Sequence, residues 1–290
     1  MTLPLTGPIS LLDIQTEFGG SNPIGLSEYY KGGNYVHPYS TAPNVPTSGT
    51  IALSNFYGAS SYTPTLHTVT LTNGQTFTVP VTIVSSLTLT LISGAGGSGG
   101  SDAGSPGYPG YPGHQVTGTV TAESGDVFLA SVGGSGGNGG SGSSGGGGGT
   151  AGAGGALGYS GGTGGNAGGS GSSGAGGGGG GATVLIQNSI VIAVAGGGFG
   201  GGGAGLRSAG RGSIGYASSG SIVGGNGQSK DGDGGGGGAG GGGDLGGVGG
   251  PVYGGDDGAF SGASGADLVP PDGTSTTTAS SPTVIIQGTW

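Results

Sequence analysis

The sequence predicts a mostly β protein: an antiparallel β-sandwich with an inserted bundle of polyglycine II helices, preceded by a small irregular module with short helices. Three observations carry this reading. Glycine fills 86 of the 290 positions and collects in tracts such as residues 176–181. The tracts are interrupted by short runs of Val, Ile, Leu and Thr, residue types that favour strands. Residues 1–60, by contrast, hold few glycine runs and most of the helix-compatible sequence. The expected division is a module over 1–60 and a glycine-rich body over 61–290.

Within the module a degenerate motif occurs as Ile9-Ser10-Leu11-Leu12-Asp13, Ile24-Gly25-Leu26-Ser27-Glu28-Tyr29-Tyr30 and Ile51-Ala52-Leu53-Ser54-Asn55-Phe56-Tyr57. Ser10 stands where an N-cap is wanted and Gly19-Gly20 follows Phe18, so a short helix is expected over 10–18. The other two copies support single helical turns at most. Pro23, Pro38, Pro43 and Pro46 keep the intervening chain extended and irregular. With so few apolar side chains the module buries little surface alone and is expected to dock on a partner. The positions expected to carry that attachment are Ile9, Leu12, Phe18, Leu26, Tyr29, Tyr30, Leu53, Phe56 and Tyr57.

The body opens with period-two alternation over 66–72. Asn73-Gly74 is a preferred tight-turn pair, so the chain is expected to return over 75–79 as a hairpin. Alternation resumes over 87–92. Further strands are expected over 115–121 and 127–132, joined by Ser124-Gly125-Asp126, over 183–187 and 189–194 with Asn188 at the turn, and over 283–287. None follows a helical pattern, which favours antiparallel pairing with long glycine insertions.

The tracts keep a beat of three. Gly133-Gly134-Ser135, Gly136-Gly137-Asn138 and Gly139-Gly140-Ser141 are echoed by Gly161-Gly162-Thr163 and Gly164-Gly165-Asn166. Polyproline II has three residues per turn, so this spacing sets the side chains on one edge and bare glycine on the other two. Such a helix has no internal hydrogen bonds, and only neighbours can satisfy its amides. Ordered glycine costs roughly 0.5–1 kcal/mol more than alanine, so the tracts are expected to be bundled and pinned by the flanking strands. Collagen is excluded, because glycine does not recur strictly at every third position and only 15 prolines are present.

Four Lys and Arg against thirteen Asp and Glu leave a formal net charge of −9. So few cations cannot neutralise a run of phosphates, which excludes nucleic acid as a partner. The absence of cysteine removes disulfides, thiolate metal sites and thiol nucleophiles. No apolar stretch reaches the ~18 residues of a spanning helix and Met1-Thr2-Leu3-Pro4 lacks the basic start of a secretory signal, so synthesis in a cytoplasm without membrane insertion is expected. Gly-x-Gly-x-x-Gly patterns abound, yet none lies between a strand and a helix, and no nucleotide or other cofactor is expected. His37, His67 and His114 are far apart and read as structural. No paired carboxylates share a site on the expected strands, so no enzyme is expected. Asp231, Asp233, Asp256 and Asp257 lie in glycine-rich contexts with two readings: weak calcium ligation, or solvated loop charge.

Aromatic residues are the informative minority of the body. Tyr108, Tyr111 and His114 punctuate Pro106-Gly107-Tyr108-Pro109-Gly110-Tyr111-Pro112-Gly113-His114, and Tyr159, Phe199, Tyr216, Tyr253 and Phe260 interrupt other tracts. Rings this large do not enter a glycine lattice and are expected at its edges or tips. Two readings stand: exposed tips that bind sugars or outer-membrane loops, or caps on the bundle ends and filling of the sandwich.

The run Gly7-Pro8-Ile9-Ser10-Leu11-Leu12-Asp13-Ile14-Gln15-Thr16-Glu17-Phe18-Gly19-Gly20-Ser21-Asn22-Pro23-Ile24, continued by Leu26-Ser27-Glu28-Tyr29-Tyr30 and Pro46-Thr47-Ser48-Gly49-Thr50-Ile51, resembles a module common at the start of tailed-bacteriophage virion proteins. Phe77-Thr78-Val79-Pro80, then Leu87-Thr88-Leu89-Thr90-Leu91-Ile92-Ser93-Gly94-Ala95-Gly96-Gly97, and later Val191-Ile192-Ala193-Val194-Ala195-Gly196-Gly197-Gly198, resemble glycine-rich phage fibre and adhesin domains. A similar order of strands and tracts occurs in the glycine-rich extracellular domain of some receptor kinases, where polyglycine helices are inserted into a β-sandwich. The resemblance implies a virion protein assembled in the host cytoplasm, a tail fibre or adhesin. It would attach by its N-terminus to tail, baseplate or neck proteins and recognise a host cell-surface receptor or glycan through loops between glycine helices. The alternative is a purely structural neck, baseplate or head-decoration protein without a receptor. A homotrimer and a single chain are both open, since no heptads enforce a trimer.

Overall fold

Strands dominate the computed structural model, which describes residues 2–80, 85–102, 104–142, 154–168, 173–213, 221–230 and 233–290. The chain divides into two compact units, Met1–Leu66 with Thr289–Trp290, and His67–Gly288.

In the first unit the triple motif is a triple cap. Helix α1 (Leu11–Phe18) starts at Ser10, whose hydroxyl accepts the Asp13 N–H, while the Asp13 carboxylate accepts the Ser10 N–H at 2.8 Å. The same reach-back closes the two 3-10 turns, Leu26–Glu28 and Leu53–Phe56. Glu28 Oε1 accepts from Gly25 N–H at 2.9 Å and Asn55 Oδ1 from Ala52 N–H at 2.8 Å. The Ile and the first Leu of every copy (Ile9 and Leu11, Ile24 and Leu26, Ile51 and Leu53) pack on a common core built on Ile14, Phe18, Tyr29, Val36, Val45 and Phe56. Phe18 and Tyr29 meet the Phe56 ring edge-on at 6.1 and 6.2 Å, and the Tyr29 hydroxyl donates to the Gly19 carbonyl at 2.8 Å. Gly19, at φ +83°, ends the helix. The expectation that this module buries little by itself is therefore corrected: three aromatic rings close a core of its own.

The second unit holds β1 (Leu66–Leu71), β2 (Thr76–Thr78), β3 (Ser85–Ile92), β4 (Gly113–Ala122), β5 (Val127–Ser131), β6 (Thr183–Gln187), β7 (Ile190–Ala195), β8 (Arg211–Ser213), β9 (Phe260–Ser261), β10 (Thr274–Thr278) and β11 (Thr283–Thr289). One antiparallel sheet runs β1-β11-β3-β4-β10 and a second runs β2-β5-β6-β7. Period-two alternation sets one face of the first sheet: Leu89 stands opposite Ile286 and Leu91 opposite Val284, and all four are buried. The β6–β7 hairpin turns through Asn188 and Ser189, whose positive φ angles of 49° and 70° match the primed turn that suits strand twist.

The hairpin expected at Asn73-Gly74 does not form. The turn itself is present, with Gln75 N–H on the Thr72 carbonyl and Gly74 at φ +78°, but it carries the chain from the first sheet into the second. β1 neighbours β11 and β2 pairs with β5, because Gly74 N–H is taken by Ala130 and the strands find partners distant in sequence. Strand β10 was not legible: its Thr-Ser-Thr-Thr-Thr sequence has no apolar alternation and lies at a sheet edge. β8 and β9 form a short parallel pair, a departure from purely antiparallel pairing.

Asp126 ties the β4–β5 connection to the β6–β7 hairpin. Its carboxylate accepts from Glu123 N–H at 2.9 Å, Gln187 Nε2 at 2.7 Å and Asn188 Nδ2 at 2.7 Å. The Glu123 N–H first, and then the two side-chain amides, hold its pKa below the ordinary 3.8. A depressed folded-state pKa gives stability that is complete above the unfolded value and is lost as pH falls through the folded one. Asp126→Asn should therefore lower stability at neutral pH and flatten its dependence on pH below about 4; chemical denaturation of both proteins across pH 2–7 reads the difference.

The glycine tracts are joined by backbone hydrogen bonds of strict three-residue period. Along 235–244, Gly236, Ala239 and Gly242 donate to Gly174, Gly177 and Gly180; Gly237, Gly240 and Gly243 donate to Gln228, Gly225 and Ile222; Gly235, Gly238, Gly241 and Asp244 donate to Asp257, Phe260, Ala263 and Ala266, all at 2.9–3.1 Å. The same tract accepts from residues 162 and 165, from 197, 200 and 203, and from 247 and 250. It is thus ringed by six other segments. Approach is close enough that a Cβ on Gly177 would lie 2.0 Å from the Gly97 carbonyl oxygen, and one on Gly136 2.1 Å from that of Gly178. At edges without a further tract, side chains supply the missing acceptors. Asn138 Oδ1 takes the Ser98 N–H at 2.9 Å, Ser141 Oγ that of Ser101 at 3.1 Å, Asn226 Oδ1 that of Thr163 at 2.9 Å and Ser229 Oγ that of Asn166 at 3.1 Å. Gly177→Ala should lower unfolding free energy by roughly 1–3 kcal/mol, while Ser135→Ala on an exposed position stays within about 0.5 kcal/mol; thermal or urea unfolding compares them.

Candidate functional site

The segment 106–114 lies along the lattice with the same three-residue beat. Tyr108, Tyr111 and His114 donate their N–H groups to Gly202, Phe199 and Gly196, and accept at their carbonyls from Gly99, Gly96 and Ser93. Gly107, Gly110 and Gly113 fill the edge packed on residues 99, 96 and 93, where a Cβ would fall 2.1–2.4 Å from a carbonyl oxygen. Pro106, Pro109 and Pro112 take the third position, where no N–H has to be satisfied. The two tyrosines and the histidine are left in a row on the remaining edge.

That edge lines a cleft of about 550 Å³. Phe199 joins Tyr108, Tyr111 and His114 there, and hydroxyls come from Ser213, Ser264 and the β10 residues Ser275, Thr276 and Thr277. Tyr111 stacks on Phe199 with centroids 4.7 Å apart and planes 13° from parallel. Asp267 organises the floor. Its carboxylate accepts from Gly196 N–H, from the Ser275 hydroxyl, and from His114 Nδ1 at 2.8 Å. A carboxylate only accepts, so Nδ1–H donates to Asp267 and the contact fixes the orientation of the His114 ring. Ser275 donates to the same carboxylate rather than to the imidazole, so the three groups form a clamp and not a nucleophile–base pair.

Tyr159, Tyr253 and Phe260 do not line this cleft. Tyr159 packs beside Leu129, Leu157 and Leu268 on the apolar cluster of Ala182, Val184, Ile186 and Val194. Tyr253 and Phe260 pack together at 5.2 Å with the Arg211 guanidinium 5.0 and 5.5 Å from their ring centres. Tyr216 lies outside the described residues. Phe199 is buried, at 8% exposure, and supports a neighbour rather than projecting from a tip. Asp256 and Asp257 pair with Arg207 at 3.2 Å and Arg211 at 3.5 Å, and no cluster of three metal-ligating side chains occurs among the described residues. Asp231 lies outside them too. Asp267 and the β10 hydroxyls carry no sequence signal, since neither belongs to a tract or an apolar alternation.

The expected attachment residues are mostly spent inside the first unit. Phe18, Tyr29 and Phe56 are buried, Ile9, Leu26 and Leu53 pack on them, and the Tyr30 and Tyr57 hydroxyls donate to the Gly49 and Gly7 carbonyls. Leu12 is the exception, 68% exposed on α1, and Leu5 is 80% exposed.

Comparison with protein-family models and with curated proteins finds no match for this chain. No helix among the described residues is long and apolar enough to cross a membrane.

Asp267→Ala should cost roughly 1–3 kcal/mol, because it strands the Gly196 N–H and frees the His114 ring, and Asp267→Asn less, since an acceptor remains. Urea unfolding of the two variants orders them.

Proposed function

We propose that this chain is a structural virion protein of a tailed phage, of the tail fibre or adhesin type. Its first unit attaches to tail, baseplate or neck proteins and its second recognises the host surface. The observation that carries the reading is the cleft: exposed tyrosines in a row, on a segment whose backbone amides are tied to two neighbouring tracts. In finer terms, the two antiparallel sheets are the layers of a β-sandwich, with β3 and β4 lying against β6 and β7. The tracts are polyglycine II helices bundled beside it, a reading supported by their three-residue hydrogen-bond period.

Such a scaffold suits a particle exposed to solvent and proteases. Its order rests on many lateral hydrogen bonds, each contributing about 1 kcal/mol net, and very few charges are available to titrate or be screened. The role is binding without catalysis and without nucleic acid, in a virion that carries the chain as a homotrimer or as single copies. A purely structural neck, baseplate or decoration role would give the aromatic row nothing to do, and for that reason ranks second.

Purified protein should compete with virions for adsorption to susceptible bacteria, and antibody against it should label the tail, baseplate or neck of the particle; labelled particles without competition for adsorption would favour the structural alternative. Leu12→Asp should reduce incorporation into particles while leaving the thermal midpoint unchanged, since Leu12 is exposed rather than part of the core; quantifying the protein in purified virions measures it.

A further inference from the structure

We infer that the cleft of Tyr108, Tyr111 and His114 is a binding site for a neutral oligosaccharide, an inference that rests on the host-recognition reading and names its ligand class. Three features of the site select that chemistry. The first is spacing. Residues three apart on a three-residue helix recur every ~9.3 Å along its axis, so Tyr108, Tyr111 and His114 offer successive contact points suited to an extended chain rather than to one small ligand.

The second feature is the mixture of groups. Tyr108 and Tyr111 are each more than a third exposed and line the same cleft, each bringing an aromatic ring and a hydroxyl to it. The CH-bearing face of a sugar ring packs on such a ring, and its hydroxyls need donors and acceptors at the rim. Ser264, Thr276 and Thr277 line the same cleft and each hydroxyl can serve as donor or acceptor, while Ser275, whose proton goes to Asp267, keeps acceptor capacity. Tyr111 is held in plane by the buried Phe199 ring, so little of its motion is lost on binding.

The third feature is charge. Among the described residues no Lys or Arg lines the cleft, and the one carboxylate there, Asp267, is engaged by Gly196, His114 and Ser275. A sulfated, phosphorylated or uronic saccharide would meet no cation and would sit near a negative charge. A peptide loop is a weaker fit, because among the described residues the lining holds no Val, Leu, Ile or Met to receive an apolar anchoring side chain.

Calorimetric titration of the full-length protein with neutral hexose and N-acetylhexosamine di- and trisaccharides, and with their sulfated counterparts, tests the assignment. Binding of at least one neutral member, weakened about tenfold or more by Tyr108→Ala or Tyr111→Ala and unchanged by Tyr253→Ala, is the expected result. Thermal midpoints of the variants, expected to match the parent, show that the loss is not unfolding. Absence of binding by every neutral member, preference for the sulfated ones, or tyrosine variants that bind like the parent would overturn it. Labelled full-length protein on susceptible cells separates this from the broader reading. Binding abolished by periodate supports the saccharide; binding abolished by protease alone keeps host recognition and rejects the saccharide; no binding to cells rejects both.

Discussion

A glycine tract in extended three-residue turns cannot bond to itself, so each of its amides must find a carbonyl on another segment. Everything in the second unit follows from that obligation. Because the hydrogen bonds repeat every third residue, the N–H groups leave a tract in three directions and the carbonyls in three more, and residues 235–244 use all six. Side chains are excluded by the same geometry. Neighbouring backbones come so close that a methyl group on Gly177 would overlap the Gly97 carbonyl, which is why composition is driven toward glycine wherever a tract is surrounded.

The edges of the lattice are where chemistry becomes possible. An edge tract has directions in which no neighbour waits, and the residue facing outward is free to carry a side chain. Asn138, Ser141, Asn226 and Ser229 use that freedom to cap stray N–H groups of a nearby tract. On the segment 106–114 the same freedom is used twice, once by prolines that need no acceptor and once by Tyr108, Tyr111 and His114. The proposed recognition row is thus a by-product of periodicity: a rule that keeps backbones packed also lines up whatever side chains remain.

The first unit is built on a different economy. Three copies of a short motif each close a turn by reaching back from an acidic or amide side chain to a backbone N–H, and each contributes an Ile and a Leu to one core. Reading those apolar residues as an attachment surface was reasonable for a short chain, but buried and exposed residues share one composition. Only the fold separates Phe18, Tyr29 and Phe56, which hold the unit together, from Leu12, which is available to a partner.

Much was legible without coordinates because it depends on neighbours along the chain. Ser10 and Gly19 bound a helix, alternation marks β1 and β3, runs of Val, Ile and Thr mark β6 and β11, and the triplets at 133–141 announce a three-residue period. The Pro-Gly-Tyr repeats marked Tyr108, Tyr111 and His114 as groups at an edge or tip, but not as members of one cleft. What tertiary structure alone decided is which segments meet. Glycine tracts are chemically alike, so they carry almost no register of their own. Register comes from flanking strands and from a few side chains that bridge distant positions, such as Asn138 to Ser98 and Asn226 to Thr163. For the same reason Asn73-Gly74 specified a turn but not its partners, and nothing local foretold that Asp267 and the threonines of β10 would line one cleft with the tyrosines. Local sequence sets the directions in which groups point; the long-range pairing of backbone amides determines what they point at.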